Sequence, residues 1–437
     1  MKRRIIAMLM AVSMLVFATG CTRETPAELP PDWVEPEDNV TTSDDFVDGE
    51  SDDYVGDESD SQIIEEKDWY TLMLEASIQT TGNNYRLKKV LERARSGETV
   101  NVCTLGGSIT EGGGATSMDH GYAYNFEKAF KETYCTGDNL NFVNAGLSGT
   151  PSSLGVMRYD RDVVEALGGA PDLLIIEFAV NDWQEATGGR ALESLIYRAL
   201  SDNDECAVIV LYSVTNKMWN LQSDMMPYGN YYSVPMVSML DALKSTTEIN
   251  LDLYYSDEFH PKNYGHTVMS DCLMKLLEIV DASEMDDPVA VPEEAKKGRE
   301  FADMKLIYRD TVGVKLELGA FSATDKAVQS CFFTNSLSFP DNFMKENDNG
   351  GALKLTLTCS TLLLDFKTAN DSSFGTAEVY VDGELVKTLE GYSAGGWNNG
   401  NVVLIIDEAE AKEHEVVVKM AAGHEDKKFT VLAFAYN

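Results

Sequence analysis

Residues 100–112 read Val100-Asn-Val-Cys-Thr-Leu-Gly106-Gly-Ser-Ile-Thr-Glu-Gly112, an apolar run typical of a strand that passes directly into a glycine-rich turn. Parallel α/β sheets build their sites at the carboxyl ends of strands, so Ser108 is placed where a side chain can enter a crevice. A phosphate-binding Walker loop would need Lys where Gly113 stands, and the Gly-x-Ser-x-Gly elbow would need Gly where Thr110 stands. Taken alone, the turn is also compatible with a glycine-rich connection without function.

The sequence on both sides of this turn alternates between helix-like and strand-like segments. Leu87, Val90 and Leu91 recur at helical spacing, and the strand-like segments are near-continuous apolar runs. Such strands are typical of a parallel sheet that helices cover on both faces, which predicts a three-layer α/β domain. The predicted helices cover 85–96, 122–134 and 265–280, and the predicted strands cover 100–105, 140–143, 172–179 and 207–212.

The pattern changes after the predicted helix 265–280. Residues 282–297 are rich in Asp, Glu and Pro, so we place a linker at 283–297. Beyond it short strands alternate with turn residues, and Asp382-Gly383 suits the positive backbone angles of a tight hairpin turn. Residues 298–437 are therefore predicted to form an all-β sandwich of the jelly-roll type. Its predicted strands cover 312–318, 353–358, 362–366, 377–386, 402–406, 415–420 and 429–436.

A serine hydroxyl is a weak nucleophile unless a base accepts its proton, so the five histidines are the next candidates. His260 lies three residues after Asp257, and an acid so placed can hold one ring nitrogen while the other faces the serine. His266 has no such partner and is predicted to lie on or under the following helix. For His120 we favour a helix-start or surface position.

Donors for the negative oxygen of a tetrahedral intermediate are expected at two other strand ends. Gly146 follows the strand 140–143 and offers a bare backbone amide, and Asn181 follows 172–179 and offers its side chain. Each residue alone is also compatible with an ordinary turn. Four such elements in order at strand ends are much less expected by accident.

The chain resembles the SGNH/GDSL hydrolase family, whose four blocks contribute Ser, Gly, Asn and His. The matching residues, in chain order, are Ser108, Gly146, Asn181 and His260. Gly107 stands where the family name has Asp, and Ala179 stands where the third block usually has Gly. Neither departure touches a group that does chemistry.

This resemblance covers about 84–280 and implies a flavodoxin-like SGNH-type domain, placed at 67–282, that acts on ester bonds. It implies Ser108 as nucleophile, His260 as base and Asp257 as the residue that orients the base. It also implies an oxyanion hole formed by the amides of Ser108 and Gly146 with the side chain of Asn181. No cofactor is implied.

The N-terminus is similar to that of a bacterial lipoprotein. A basic start precedes an apolar run over 5–18, which is too short to span a bilayer comfortably. The run ends in small residues before Cys21, although Ala18 stands where Leu is commoner. We expect a signal peptide over 1–20, lipidation at Cys21 and an extracytoplasmic, cell-surface location in a bacterium; ordinary secretion with an incidental Cys21 is the alternative.

Charge excludes several partner classes. Residues 22–60 hold fifteen acidic residues and one basic residue, which predicts a disordered tether over 21–66. The whole chain carries a net charge of −37, whereas nucleic acid and anionic lipid surfaces require basic patches. We therefore expect no nucleic-acid partner and membrane contact only through the lipid anchor.

Six further cysteines are scattered without a C-x-x-C arrangement. Together with the five dispersed histidines they show no metal-ligand spacing, so we predict no metal site. No disulfide is predicted either, because buried reduced thiols are equally compatible with the apolar runs around Cys103 and Cys206.

Fold and site residues do not settle the substrate. A tether plus an appended sandwich is similar to the layout of polysaccharide O-acetylesterases, so we expect hydrolysis of O-acyl, chiefly O-acetyl, esters on an extracellular polysaccharide. The sandwich is expected to hold polymer and to contribute nothing to the chemical step. Aromatic residues in 392–399 and 219–232 would stack on sugar rings, with core packing as the alternative. A lipase or acyl-thioesterase, an acyltransferase and a catalytically retired glycan-binding protein are the competing functions.

Overall fold

The computed structural model describes residues 68–346 and 351–437. Their strands form one sheet of six strands and one of eight. The predicted signal peptide 1–20, Cys21 and the predicted tether 21–66 lie outside the described residues. Within residues 68–346 and 351–437, no helix is long and apolar enough to cross a membrane.

Six strands form the first sheet. They are β1 (Ile78–Thr80), β2 (Val100–Gly106), β3 (Leu140–Gly146), β4 (Leu173–Glu177), β5 (Ala207–Tyr212) and β6 (Met236–Ser238). They lie in the order β1-β6-β5-β4-β2-β3. All neighbours pair in parallel except β1, which joins β6 antiparallel at one edge. The predicted parallel sheet is present. The antiparallel edge strand β1 was not predicted, because a strand of three residues is too short to show an alternation of apolar and polar residues.

Helices cover both faces of this sheet. They are α1 (Trp69–Ala76), α2 (Tyr85–Ser96), α3 (Ser108–Glu111), α4 (Tyr122–Tyr134), α5 (Ser152–Tyr159), α6 (Arg190–Asp202), α7 (Gln222–Tyr231), α8 (Met239–Lys244), α9 (Leu251–Tyr254) and α10 (Asn263–Ala282). Leu174 and Ile176 of β4 point into the buried cluster with α5 and α6. Leu173 and Ile175 of the same strand point into the other cluster, with α2, α4 and α10. Because side chains alternate along a strand, apolar residues in succession require cover on both faces, and the three-layer prediction is confirmed.

The eight strands of the second sheet are β7 (Lys305–Leu306), β8 (Lys315–Glu317), β9 (Phe343–Lys345), β10 (Leu353–Ala369), β11 (Thr376–Val381), β12 (Glu384–Glu390), β13 (Trp397–Met420) and β14 (Phe429–Tyr436). All pair antiparallel. Asp382 and Gly383, between β11 and β12, have φ of 52° and 87°, as expected for the predicted hairpin. The prediction of an all-β C-terminal part is confirmed.

Two strands of this second sheet are much longer than the sequence suggested. The predicted pair 353–358 and 362–366 is one strand, β10, and the pair 402–406 and 415–420 is one strand, β13. Pairing between them shifts register near Cys359 and Thr361, and such a bulge interrupts the alternation of side chains without ending the ladder. Both halves of β10 contribute residues to one buried cluster, so this single sheet encloses an apolar core of its own. The name sandwich is kept below for this C-terminal part.

The sandwich packs on the α/β part through shared apolar surface. Leu363 and Val402 belong to the same buried cluster as α5 and α6. At the margin of this interface the Arg190 guanidinium donates to both carboxylate oxygens of Asp407, at 2.9 and 2.8 Å. This packing brings the loops of the sandwich close to the carboxyl ends of β2 and β3.

Candidate active site

Ser108 is the first residue of α3 and is separated from the end of β2 by Gly107 alone. The turn is tight, since a Cβ on Gly106 would lie 2.5 Å from the carbonyl oxygen of Glu177. A residue that starts a helix also has a backbone N–H without an intrahelical partner. The turn thus places both the hydroxyl and the free amide of Ser108 at the carboxyl edge of the sheet.

His260 and Asp257 lie in the loop between α9 and α10. His260 Nε2 is 2.8 Å from Ser108 Oγ, and His260 Nδ1 is 2.8 Å from Asp257 Oδ2. The other oxygen of Asp257 accepts the backbone N–H groups of Phe259 and His260, at 2.7 and 2.9 Å. The structure therefore brings these three predicted residues into one hydrogen-bonded chain.

The environment of Asp257 keeps it ionised. Burial raises the pKa of this carboxyl, but the hydrogen bond and charge of His260 and the backbone N–H of Phe259 outweigh burial, and the pKa falls below 3.8. Hydrogen bonding to a charged form favours that form. A carboxylate on Nδ1 favours the tautomer in which Nε2 carries the lone pair and can accept the proton of Ser108.

His266 has a structural position, as predicted. Its Nδ1 accepts the backbone N–H of Tyr122 at 3.1 Å, and its Nε2 donates to the carbonyl of Gly113 at 3.1 Å. These two bonds fix a neutral ring, and burial lowers the pKa of His266 to about 4. His120 is exposed and bonds to Ser117 at 2.6 Å, in agreement with the predicted surface position.

Asn181 lies directly against the turn that carries Ser108. A Cβ on Gly107 would be 2.8 Å from Asn181 Cγ and 3.0 Å from Asn181 Nδ2. The Asn181 carboxamide is buried, and its oxygen has no hydrogen-bond partner among the described residues. Gly107, the departure from the family name, is therefore required by the close approach of Asn181.

The backbone N–H of Gly146 is already engaged. It donates to the side-chain oxygen of Asn144 at 3.0 Å, and its Cα faces α3, because a Cβ there would lie 2.5 Å from Glu111 Cα. Gly146 is thus beside the turn, as predicted, but its amide can bind an oxyanion only by giving up this bond. The next glycine along the loop, Gly149, has φ of 68°.

Comparison with known proteins concerns the family and the fold of this chain. Residues 104–268 match the model of the GDSL-like lipase/acylhydrolase family. This part of the chain is a GDSL-like lipase/acylhydrolase domain. The predictions of an SGNH/GDSL-type fold and of an enzyme of the ester-cleaving class are thereby confirmed at the level of the family. No curated protein matches the chain.

Two solved structures match the GDSL-like domain and the sandwich together. One is a two-domain esterase (CEX) active on acetylated mannans, with a TM-score of 0.71 and 24% identity over 83% of this chain and 98% of that chain. The other is the same kind of two-domain esterase co-crystallised with mannopentaose, with a TM-score of 0.69 and 24% identity over 83% of this chain and 97% of that chain. At this identity the likeness shows that the fold of both parts is shared.

A buried acidic side chain forms hydrogen bonds next to the turn that carries Ser108 in the GDSL-like domain. Glu177, at the end of β4, accepts the hydroxyl of Thr110 at 2.9 Å and that of Ser213. Burial raises the pKa of Glu177, and the hydrogen bonds from Ser213 and Thr110 offset only part of that effect. The sequence did carry a signal for this residue, since a single Glu interrupts the apolar run 172–179.

A buried cation ties two strand ends together in the same domain. Arg158 of α5 donates to the carbonyl of Ala145 at 2.7 Å, to that of Gly106 at 3.0 Å and to Asp162 at 3.1 Å. These bonds hold β2 and β3 side by side where the site lies. Nothing in the sequence pattern marks Arg158 for this position.

Residues of the sandwich reach the rim of the GDSL-like domain's site, which the sequence did not predict. The carboxylate of Glu111, in α3, accepts the backbone N–H of Phe332. The ring of Trp397 lies over Gly149, since a Cβ there would be 2.9 Å from Trp397 Cζ2. Phe332 and Trp397 are 61% and 43% exposed, so both present aromatic surface beside the site.

Two aromatic residues of the stretch 219–232 do not face the site. Tyr228 and Tyr232 are buried in the cluster beneath α7, and the Tyr232 hydroxyl donates to Glu193 at 2.9 Å. For these tyrosines the core-packing alternative is correct. Within residues 68–346 and 351–437, no group of three or more His, Cys, Asp or Glu side chains is arranged to hold a metal ion.

Proposed function

We propose that this chain is a serine esterase that hydrolyses O-acyl, chiefly O-acetyl, esters on an extracellular polysaccharide. The observation that carries this proposal is the continuous chain Ser108 Oγ, His260 Nε2, His260 Nδ1, Asp257 Oδ2, with both links at 2.8 Å. A serine, a base and an oriented acid in this order are the requirements for nucleophilic acyl transfer.

In the first half-reaction, Ser108 Oγ attacks the acyl carbon while His260 Nε2 accepts the hydroxyl proton. The tetrahedral intermediate then collapses, and His260 returns the proton to the departing sugar hydroxyl, which leaves the acyl group on Ser108. In the second half-reaction His260 deprotonates a water that attacks the acyl-enzyme, so that acetate is released and Ser108 is restored. Asp257 holds Nδ1 and stabilises the imidazolium that forms in each half.

Negative charge on the acyl oxygen needs donors that are in place before reaction. The Ser108 N–H is available at the start of α3, and the Asn181 side chain lies within contact of Gly107. Gly146 was expected as the third donor, and it can act only if it leaves Asn144. We therefore assign the Ser108 amide and the Asn181 side chain as the principal donors.

A carbohydrate substrate is supported by the aromatic surface of the sandwich. Trp397 and Phe332 lie at Gly149 and Glu111, two residues of the loops that flank Ser108. Aromatic rings offer large apolar faces at low conformational cost, which suits the faces of sugar rings. The solved two-domain esterase of similar fold acts on acetylated mannans, which makes acetylated mannan the first polymer to test here.

The test is acetate release from acetylated mannan, xylan and pectin, with 4-nitrophenyl acetate as a small ester. Trp397→Ala is expected to lower the rate on the preferred polymer by about tenfold, the effect of one stacking contact of about 1–1.5 kcal/mol. The small ester should be unaffected, because remote binding energy matters only when the remote part of the substrate exists. Leu385→Ala is the control, because Leu385 lies on the edge strand β12 and is also an exposed apolar residue, at 52% against 43% for Trp397. No acetate release from any polymer would contradict the substrate proposal.

We propose further that the enzyme is held at the cell surface by a lipid on Cys21. The support is the sequence 17–21, which is similar to a lipoprotein cleavage box. Cys21→Ala should move the protein from the membrane fraction into the medium when it is expressed in a bacterium. Retention of the variant in the membrane fraction would contradict lipidation at this residue.

A further inference from the structure

The backbone of Ser148, in the loop after β3, is held from two directions. Glu111 Oε2 accepts the Ser148 N–H at 2.8 Å and also the Ser148 hydroxyl. From the sandwich, Gln329 Nε2 donates to the Ser148 carbonyl at 2.7 Å. All three polar groups of Ser148 are thus bonded, so this residue is fixed between the helix of the nucleophile and the sandwich.

The loop that contains Ser148 runs along the edge of the site. At one end the Leu147 N–H donates to Gly106 O at 3.1 Å, two residues before Ser108. At the other end Ser152 bonds through its N–H and hydroxyl to Asp182, the neighbour of Asn181, at 2.7 and 2.8 Å. The loop therefore spans the distance between the nucleophile turn and the Asn181 donor.

The bond from Gln329 also sets the direction of the next amide. A peptide group is planar and trans, so the Ser148 C=O and the Gly149 N–H point in opposite directions. Because the carbonyl points to Gln329 of the sandwich, the Gly149 N–H points away from Gln329. In the described part of the chain no hydrogen bond engages this N–H. The N–H of Gly146, by contrast, donates to the side-chain oxygen of Asn144.

We propose that Gln329 is a positioning residue for the oxyanion hole: it fixes the 148–149 peptide so that the Gly149 N–H donates to the acyl oxygen. This proposal rests on the proposed serine-esterase function. It also replaces the expectation that the sandwich contributes nothing to the chemical step, since a sandwich residue then acts on every substrate, however small.

The surroundings of Gln329 suit this role. Its side chain is 6% exposed. Its backbone N–H donates to Asn398 O at 3.0 Å, and its carbonyl accepts the Ser338 N–H at 3.0 Å. The backbone is therefore anchored within the sandwich, and only the side-chain amide crosses to the catalytic domain. An anchored donor holds its acceptor better than a mobile one, because little side-chain freedom is left to lose.

Gln329→Leu removes the donor at similar volume and is the main test. With 4-nitrophenyl acetate, we expect kcat to fall by about tenfold with KM nearly unchanged, because one positioned hydrogen bond is lost in the transition state. Methylboronic acid, which forms a tetrahedral adduct with a serine hydroxyl, should bind more weakly by the same factor. Gln329→Glu, which sets a carboxylate against the Ser148 carbonyl, should lower kcat at least as much and gives a second variant if the first does not fold.

Asp407→Asn is the matched control, because Asp407 crosses the same interface to Arg190 and does not touch the 147–152 loop. It should keep wild-type kcat while thermal melts show a similar loss of stability. An equal loss of kcat in the control, or full kcat in both Gln329 variants, would overturn the proposal. If wild-type turnover survives Ser108→Ala, the serine-esterase function itself fails, and the role of Gln329 fails with it.

Discussion

A methyl group on Gly107 is predicted to disable the enzyme without touching any group of the Ser108–His260–Asp257 chain. The new Cβ would lie nearest to Asn181 Oδ1, closer than the 2.8 Å to Asn181 Cγ and the 3.0 Å to Asn181 Nδ2, whereas such atoms normally approach to about 3.5 Å. The Asn181 carboxamide must therefore move by roughly 1 Å, a misplacement that can cost about 10² in rate. Loss of an oxyanion donor altogether costs about 10²–10³ in kcat. We expect Gly107→Ala to lower kcat for 4-nitrophenyl acetate within this range.

Two comparisons isolate the cause. Gly169→Ala is the control, since a Cβ there meets only Asn101 Nδ2, at 3.9 Å, and it should leave kcat unchanged. In an Asn181→Ala background the extra methyl has nothing to displace, so Gly107→Ala should add little to the loss already caused by Asn181→Ala. Wild-type kcat in Gly107→Ala, or full additivity with Asn181→Ala, would refute the assignment of Asn181 as a donor.

Three other predictions concern the orientation of His260, the stability of the fold in acid and the effect of a metal chelator on the rate. Asp257→Asn should lower kcat by a factor on the order of 10⁴, whereas Ser108→Ala should lower it by a factor on the order of 10⁶. The loss is smaller because Asp257 only orients His260, while Ser108 is the attacking group. Equal losses of kcat in the two variants would contradict these roles. The unfolded chain binds the His266 proton at its ordinary pKa of 6.5 and the folded chain only at about 4. The free energy of unfolding should therefore fall by about 3 kcal/mol as the pH is lowered from about 6.5 to about 4. Urea titrations should show that His266→Gln, which keeps one acceptor and one donor, loses most of this decrease, and an unchanged decrease would contradict it. Dialysis against EDTA should leave the rate unaltered because the proposed steps use side chains alone, and inactivation reversed by zinc would contradict the mechanism.

The sequence predicted the helices and strands whose apolar residues recur at a regular spacing or form a continuous run. The helix 85–96 was found with its bounds because Leu87, Val90 and Leu91 form a buried stripe and Gly97 ends it at φ of 84°. The strands 140–143 and 172–179 were found from their apolar runs, although their ends moved by a few residues. Periodicity reports burial on a face, so it predicts elements well and their ends less well.

The sequence could not predict contacts between residues far apart in the chain. Ser108 and His260 were paired by motif, whereas nothing local connects Gln329 with Ser148 or Trp397 with Gly149. Those contacts depend on how the sandwich packs against α5 and α6. Such packing is determined by two complementary surfaces, and no single segment of the sequence encodes it. For the same reason motif position predicts Gly146 as a donor but does not reveal that its N–H already donates to Asn144.

The most direct test of the central claim is the turnover of 4-nitrophenyl acetate by Ser108→Ala, His260→Ala and the double variant. Residues that act as one unit are strongly non-additive, so each single change should abolish turnover and the double change should be scarcely worse than either. Near-equal rates for the three folded variants, far below wild type, are the predicted result. An active Ser108→Ala protein, or losses that multiply in the double variant, would contradict the serine-esterase mechanism.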